Sequence, residues 1–271
     1  MKEKIIEMIC QRLVKDKQIL REEFLSSSQY IGTRFLAIDD LLPGSWAMDI
    51  YKRFPEKGEM RFFSSFREEK YTFKQLNNAP SILEDITYAI QDPKVIALIE
   101  QITGFSSQMP DPSLYAGGLS LMTKNSFLNP HIDNSHDADR KYYRTLNLLY
   151  YVTPGWKMEY GGNLELWDTK VENAKIISSL FNRLVIMETN LNSWHSVNPV
   201  LIDANRCCVS NYYFSDYAPE GREYFHVTSF SARPNQKALR IFAKVDSLLR
   251  NTVRLFFNTG IAKQDLYPPK K

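Results

Sequence analysis

The fold is decided between residues 128 and 152. There Leu128-Asn129-Pro130-His131-Ile132-Asp133 is followed, after a polar interval, by Arg144-Thr145-Leu146-Asn147-Leu148-Leu149-Tyr150-Tyr151-Val152. Both are short runs of β-favouring residues bounded by Asn, Asp and Pro, the pattern of strands closed by turns. Working outward, the same texture recurs at Leu114–Met122, Asn163–Trp167, Lys175–Ile177, Arg183–Glu188, His195–Val197 and Arg206–Phe214. Eight short strands so spaced predict a mainly β fold, a double-sheet jelly roll of cupin-like kind.

The flanks read differently. Residues 2–25 repeat Ile5, Ile6, Met8, Ile9, Leu13, Ile19 and Leu20 at roughly helical spacing. A short helix is expected after Pro43-Gly44, and two more at Ile82–Ile90 and Val95–Ile102, parted by Asp92-Pro93. Residues 57–80 are mixed, with no hydrophobic periodicity that assigns them to an element. Pro234 is expected to open a last helix reaching about Phe257, since Pro suits the first helical position. The chain thus divides into a mainly helical region packing on the core (1–105), the β core (106–232), and a C-terminal helix and tail (233–271), all in one compact unit.

Composition sets the class. The 271 residues are 44% hydrophobic and 24% charged, as in ordinary globular proteins. A net charge of +3 is too small an excess to imply nucleic-acid binding. Three cysteines, two of them vicinal at Cys207-Cys208, make a poor disulfide framework and fit a reducing compartment, so a cytoplasmic protein is expected. No run approaches the about 18 apolar residues of a membrane span, and integral membrane association is not expected. The C-terminal helix alternates Lys237, Arg240, Lys244, Arg250 and Arg254 with Leu239, Phe242, Leu249, Val253 and Phe256. Such a basic amphipathic helix can lie on a membrane or meet an acidic partner; the ordinary reading, a solvated polar face on a helix packed against the domain, is preferred.

Only four histidines are present: His131, His136, His195 and His226. His131 and Asp133 stand two apart on one strand, so their side chains share a face. His195 begins another strand 64 positions later. Two imidazoles and one carboxylate, with open positions opposite, form the facial set of non-haem Fe(II) oxygenases, leaving room for a chelating keto acid and dioxygen. Arg206 follows His195 by 11 positions. Its planar fork suits a buried carboxylate. His136 sits in a polar loop and could touch substrate. Gly117-Gly118 and Gly161-Gly162 lack the strand-to-helix context of phosphate loops.

In this arrangement the chain resembles the prolyl-4-hydroxylase-like branch of the Fe(II)/2-oxoglutarate-dependent dioxygenases. The likeness covers about residues 113–216. Its carriers are His131-Ile132-Asp133, Arg144 through Val152, Trp156, Gly161-Gly162-Asn163-Leu164-Glu165-Leu166-Trp167, Asn182 through Met187, Trp194 through Val200, and Arg206 through Phe214. The resemblance implies a double-stranded β-helix with helices outside. It implies hydroxylation of an unactivated C–H bond coupled to decarboxylation of 2-oxoglutarate to succinate and CO2. Fe(II) and 2-oxoglutarate are then the expected cofactors, with ascorbate a candidate stimulant.

By position, Arg206 and Tyr151 would hold the distal carboxylate of 2-oxoglutarate. Asn147 and Leu149 would share that face, with Tyr115 at the first strand. Arg144, Tyr212, Met122 and His136 are candidates for the substrate side. Asp133 stands where related halogenases lack a carboxylate, which favours hydroxylation. The substrate could be a prolyl residue of a protein or a small-molecule intermediate such as a natural-product precursor. Oligomeric state is not readable. Two other classes stay open on these residues alone: a zinc hydrolase, and a non-catalytic jelly-roll binding module.

Overall fold

The computed structural model describes residues 1–115, 117–219 and 221–256, apart from the side chains of Tyr30, Asn251 and 253–256. The expected side chains of Val253, Arg254 and Phe256, and Phe257 with the tail, therefore lie outside the described residues.

Chain order begins with α1 (Lys2–Lys15), α2 (Lys17–Ser26), the single turn α3 (Ser28–Ile31), β1 (Phe35–Ile38) and α4 (Gly44–Lys52). A hairpin follows, β2 (Arg61–Ser64) and β3 (Glu68–Phe73), then α5 (Ser81–Ile90) and α6 (Pro93–Thr103). The β region is β4 (Gly118–Met122), β5 (Phe127–Ile132), β6 (Tyr143–Tyr151), β7 (Leu164–Trp167), β8 (Ala174–Ile177), β9 (Arg183–Glu188), β10 (His195–Val197), β11 (Arg206–Ser215) and β12 (Ser229–Phe230). It is closed by α7 (Lys237–Phe256). All eight strands expected from the sequence are present.

Every strand pairing is antiparallel, in the order β1-β9-β6-β11-β4-β3-β5-β10-β7-β8. The order reads as two curved halves. One half runs from β1 to β4 and the other from β5 to β8. β3 joins them, pairing Tyr71–Phe73 with β4 and Glu68–Glu69 with β5. Three strands therefore come from the first hundred residues, and the joining strand falls in the stretch that hydrophobic periodicity assigned to no element.

Period-two alternation decides which side of the sheet does what. On β6, Leu146, Leu148 and Tyr150 face α1, α5 and α6 and join Ile5, Ile9, Ile86, Ile90 and Ile99 in the main core. On β11, Cys207, Val209 and Tyr213 point the same way, and the Tyr213 hydroxyl donates to the Ile90 carbonyl at the end of α5. The alternate residues Asn147 and Leu149, and Arg206, Cys208, Ser210 and Tyr212, face the hollow side. The helices thus back one sheet face and leave the other open.

Two terminal details differ from the sequence reading. The last helix begins at Lys237, not at Pro234. Pro234 lies in a turn closed by the Gln236 N–H on the Arg233 carbonyl, and Arg233 is tied down by Glu165 (2.7 Å). More consequentially, α7 turns its polar face to the domain and its apolar face outward. Ile241, Phe242, Val245, Leu248 and Leu249 are exposed, while Asp246, Ser247 and Arg250 make the contacts. The preferred orientation of that helix is overturned, because the ground beneath it offers charges and carbonyls rather than an apolar groove.

Candidate active site

His131 and His195 are cross-strand partners on β5 and β10. Their ring centroids lie 4.1 Å apart. Asp133 comes two residues after His131, just beyond β5, and so returns to the same side. Its Oδ1 is 3.6 Å from His131 Nε2 and its Oδ2 is 3.6 Å from His195 Nε2. One ligand-type atom from each of the three lies within 4.8 Å of the others, and all three residues are buried.

Backbone carbonyls orient both rings. His131 Nδ1 lies 3.0 Å from the Asn129 carbonyl and His195 Nδ1 lies 3.0 Å from the Ser193 carbonyl. A carbonyl can only accept, so each Nδ1 carries the proton and each Nε2 offers its lone pair toward Asp133. This is the orientation that metal-binding imidazoles require. Phe230 stacks on His131 at 5.1 Å and fixes the ring plane.

The electrostatics keep His195 and Asp133 in ligand form. Burial brings the His195 pKa down to about 4, aided by the neighbouring His131 and opposed by Asp133. The ring is neutral at physiological pH. Burial alone would raise the Asp133 pKa, but His195, His131 and Arg144 outweigh it and hold the carboxyl well below its ordinary range. Two imidazoles and one carboxylate, the whole set among the described residues, fit a divalent ion that keeps open positions.

The triad opens into a cavity of about 370 Å³. Its far wall carries Arg206, only 3% exposed. The guanidinium has a thioether and a hydroxyl for partners: Nη1 to Met122 Sδ at 3.2 Å and Nε to Ser179 Oγ at 3.3 Å. It also lies 4.7 Å from the Tyr151 ring centroid. Among the described residues no carboxylate pairs with it. The Tyr151 hydroxyl, beside Arg206 and Ser179, is buried and completes no hydrogen bond. Burial pushes its pKa up to about 12, so it remains a donor. A buried cation without a counter-charge and a buried O–H donor beside it fit an incoming carboxylate.

Space for the arginine is made by Gly162. Its φ is +65°, and a Cβ there would come within 2.9 Å of Arg206 Cδ and 3.0 Å of Val200 Cγ2. Gly161-Gly162 is therefore a close-approach element under the cavity wall rather than a phosphate loop.

The other expected site residues divide. Asn147, Leu149, Met122 and Tyr212 line the cavity. Asn147 Nδ2 reaches Asp133 Oδ2 at 3.5 Å and the Tyr212 hydroxyl at 3.3 Å, leaving Oδ1 unpartnered. Arg144 sits behind this layer. It is 1% exposed, 4.1 Å over the Tyr212 ring, with Nη1 3.6 Å from Asp133 Oδ1 and with Nε and Nη2 unpartnered. Tyr115 lies outside the cavity wall, its ring 6.0 Å from Arg144 and its carbonyl taking a hydrogen bond from Lys74. His136 is held by Ser135 and packed among Tyr143, Tyr224 and Phe225, away from the cavity. His226 is held through its backbone, its carbonyl accepting from the Ser135 N–H and its N–H donating to Ser135 Oγ.

One wall went unread in the sequence. Glu68, Lys70, Thr72 and, just past the strand, Lys74 alternate along β3 and all face the cavity. Arg67, Thr228 and Arg250 complete its outer part. Lys70 pairs with Glu68 at 2.8 Å. Lys74 is pushed down to about 8, first by burial and then by nearby cations, with Asp111 acting the other way. The period-two signal was there, but on polar residues, where hydrophobic patterning is blind.

Residues 117–214 match the family model described as 2OG-Fe(II) oxygenase superfamily. This stretch of the chain is similar to that family. The matched residues run from β4 into β11 and so include the triad and Arg206, but not the β3 wall of the cavity or its outer residues Thr228 and Arg250. The chain is also 30% identical over 88 residues to the prolyl 3-hydroxylase OGFOD1 of Mus musculus. That alignment covers 30% of this chain and only 16% of the mouse protein. Among solved structures, a Trichoplax adhaerens prolyl hydroxylase in complex with a hypoxia-inducible-factor peptide fragment superposes with a TM-score of 0.54 at 18% identity. It covers 75% of this chain and 92% of the other. A Pseudomonas putida prolyl-4-hydroxylase gives 0.52 at 15% identity, covering 72% and 98%. These two likenesses show a shared jelly-roll fold and nothing further. Among the described residues no helix is long and apolar enough to cross a membrane.

Proposed function

We propose that this protein is an Fe(II)- and 2-oxoglutarate-dependent dioxygenase that hydroxylates an unactivated C–H bond, releasing succinate and CO2. The observation that carries the reading is the sharing of one cavity by a buried His-Asp-His set and a buried arginine without a counter-charge. His131, Asp133 and His195 would hold the iron on one face. Arg206 and Tyr151 would take the distal carboxylate of the keto acid, the first as a charge and the second as an O–H donor. Asn147 would steady the Asp133 carboxylate from its second oxygen. Arg144 would act through Asp133 and Tyr212, holding the carboxylate ionised. When bound, iron and 2-oxoglutarate together supply the two-electron activation of dioxygen that the protein side chains cannot.

The buried Arg206 favours this reading over a zinc hydrolase, which has no use for a cation facing its metal across a closed wall. It also disfavours a binding module with inert metal residues, since that module would leave three ligand-type groups desolvated without return. The outer wall narrows the substrate. Arg67, Lys70, Lys74 and Arg250 line the cavity, answered by two acids, Glu68 beside Lys70 and Asp246 beside Arg67 and Arg250, which leaves a net positive wall. A substrate bearing an anionic group fits that wall, whether peptidyl or a small molecule.

Anaerobic addition of Fe(II) and then 2-oxoglutarate to the protein is expected to give a weak visible charge-transfer band. Aerobic incubation is expected to release succinate, faster with anionic substrate candidates than with neutral ones. A folded, metal-loaded protein that shows neither band nor succinate would remove the proposal.

A further inference from the structure

Helix α7 is amphipathic in the wrong sense for a helix that merely covers its own domain. Its inward face is polar. Asp246 pairs with Arg67 at 2.5 Å and with Arg250 at 3.1 Å, Arg250 donates to the Thr228 carbonyl, Arg240 donates to the Lys170 carbonyl, and Ser247 exchanges bonds with Phe230. Ala243 is the one fully buried apolar side chain on it among the described residues. The outward face holds Ile241, Phe242, Val245, Leu248 and Leu249, which are 53–69% exposed. At 100° per residue these five fall within one arc of about 120°, a continuous stripe rather than scattered contacts.

The stripe has a charged border. Lys237 and Lys244 lie along one edge of it, both exposed. The helix carries one acid, Asp246, and that side chain is turned inward and doubly paired. Apolar depth with a cationic edge and no outward acid is the composition of a helix that lies in a lipid interface against anionic headgroups. A second copy of the chain matches it less well. It would set the same lysine border opposite itself or opposite Phe242 and Leu249, with no acid to answer it.

We infer that α7 docks the protein on an anionic bilayer surface through Ile241, Phe242, Val245, Leu248 and Leu249, with Lys237 and Lys244 at the headgroups. The inner face of the same helix sits at the cavity mouth. Arg250 and the Asp246 partner Arg67 both line that mouth, and Phe242 touches Phe66 at the β2–β3 turn at 5.1 Å between ring centroids. Docking therefore brings the mouth within one helix thickness of the lipid.

The test is flotation of the full chain with vesicles, read independently of turnover. Vesicles of equimolar phosphatidylcholine and phosphatidylglycerol are expected to carry the protein up, and phosphatidylcholine vesicles to carry far less. Ile241→Ser with Leu248→Ser is expected to abolish flotation, and Lys237→Glu with Lys244→Glu to weaken it by about tenfold or more. Raised salt is expected to mimic the lysine variant. These positions face solvent, so circular dichroism should confirm unchanged folding. Absence of flotation on anionic vesicles would overturn the inference. So would flotation that both variants retain. A stripe-dependent dimer in sedimentation velocity, with no vesicle binding, would assign the face to a second copy instead.

Discussion

Replacing Arg206 by methionine separates a ligand-binding arginine from a structural one. The side chain is 3% exposed, yet its partners are a thioether and a hydroxyl, with no carboxylate. An internal arginine that held the fold together would be expected to have a counter-ion, and truncating it would cost several kcal/mol. Here the charge is desolvated without return, so an apolar side chain of similar length should leave the ligand-free protein as stable as before or slightly more so. Binding of 2-oxoglutarate should respond in the opposite way. In the Arg206→Met variant its distal carboxylate would be buried against an uncharged thioether chain, with the Tyr151 hydroxyl as its one remaining donor of the pair. Leaving one member of a buried ion pair unpaired costs about 3–5 kcal/mol. At about 1.4 kcal/mol per decade, that is a loss of affinity between about a hundredfold and a few thousandfold. Anaerobic titration of 2-oxoglutarate into the metal-loaded variant measures the loss, and urea denaturation of the ligand-free variant measures the stability. An affinity within about threefold of the parent, or a ligand-free variant destabilised by several kcal/mol, would refute the reasoning.

Three other outcomes follow from the same geometry. Asp133→Ala removes the only carboxylate of the metal set, and is expected to abolish 2-oxoglutarate-dependent succinate release while the fold survives; retained turnover would show that the ligands are misassigned. Gly162→Ala puts a Cβ at φ +65° and within 2.9 Å of Arg206 Cδ. It is expected to cost about 1–2 kcal/mol in strain alone and to weaken 2-oxoglutarate binding by displacing Arg206, so an unshifted melting temperature with parental affinity would count against the close approach. The metal-free protein should lose stability on acidification. His195 titrates near 4 when folded and near its ordinary 6.5 when unfolded. The unfolded chain thus binds more protons between those values, and stability that is full above pH 6.5 falls as the pH drops toward 4, by at most about 3 kcal/mol from this group. Metal loading should shift that loss to lower pH; urea midpoints across the range that do not move would contradict it.

The β core was legible because its signals are local and redundant. Arg144 through Val152 alternates, and both sides of it are used: one side packs on helices and the other faces the cavity. His131 and Asp133 could be paired from strand alternation alone. That His195 stands directly across from His131 could not, because register between strands 64 residues apart is set by the whole barrel. Tyr115 and His136 show the limit of carrying a role by position. A loop before β4 and a loop after β5 can place their rings several ångströms either way, and here both rings turn from the cavity toward Arg144 and toward Tyr143.

The missed strand and the inverted helix share one physical cause. Hydrophobic periodicity reports where a chain hides from water, and it assumes that the hidden face is the apolar one. On β3 the side turned inward is Glu68, Lys70, Thr72 and Lys74, because that side is a cavity wall, and a wall that meets a charged ligand has to be polar. On α7 the side turned inward is Asp246, Ser247 and Arg250, because the ground under the helix consists of Arg67, the Thr228 carbonyl and the backbone of Phe230. In both places the pattern is intact and the sign is reversed. Reversal of this kind costs stability unless something else answers the exposed or buried groups. The two reversals meet at the same rim, through Arg67 with Asp246 and Phe66 with Phe242. Under the proposed function that rim borders the substrate cavity, and the hairpin and the helix there form one surface rather than two irregularities.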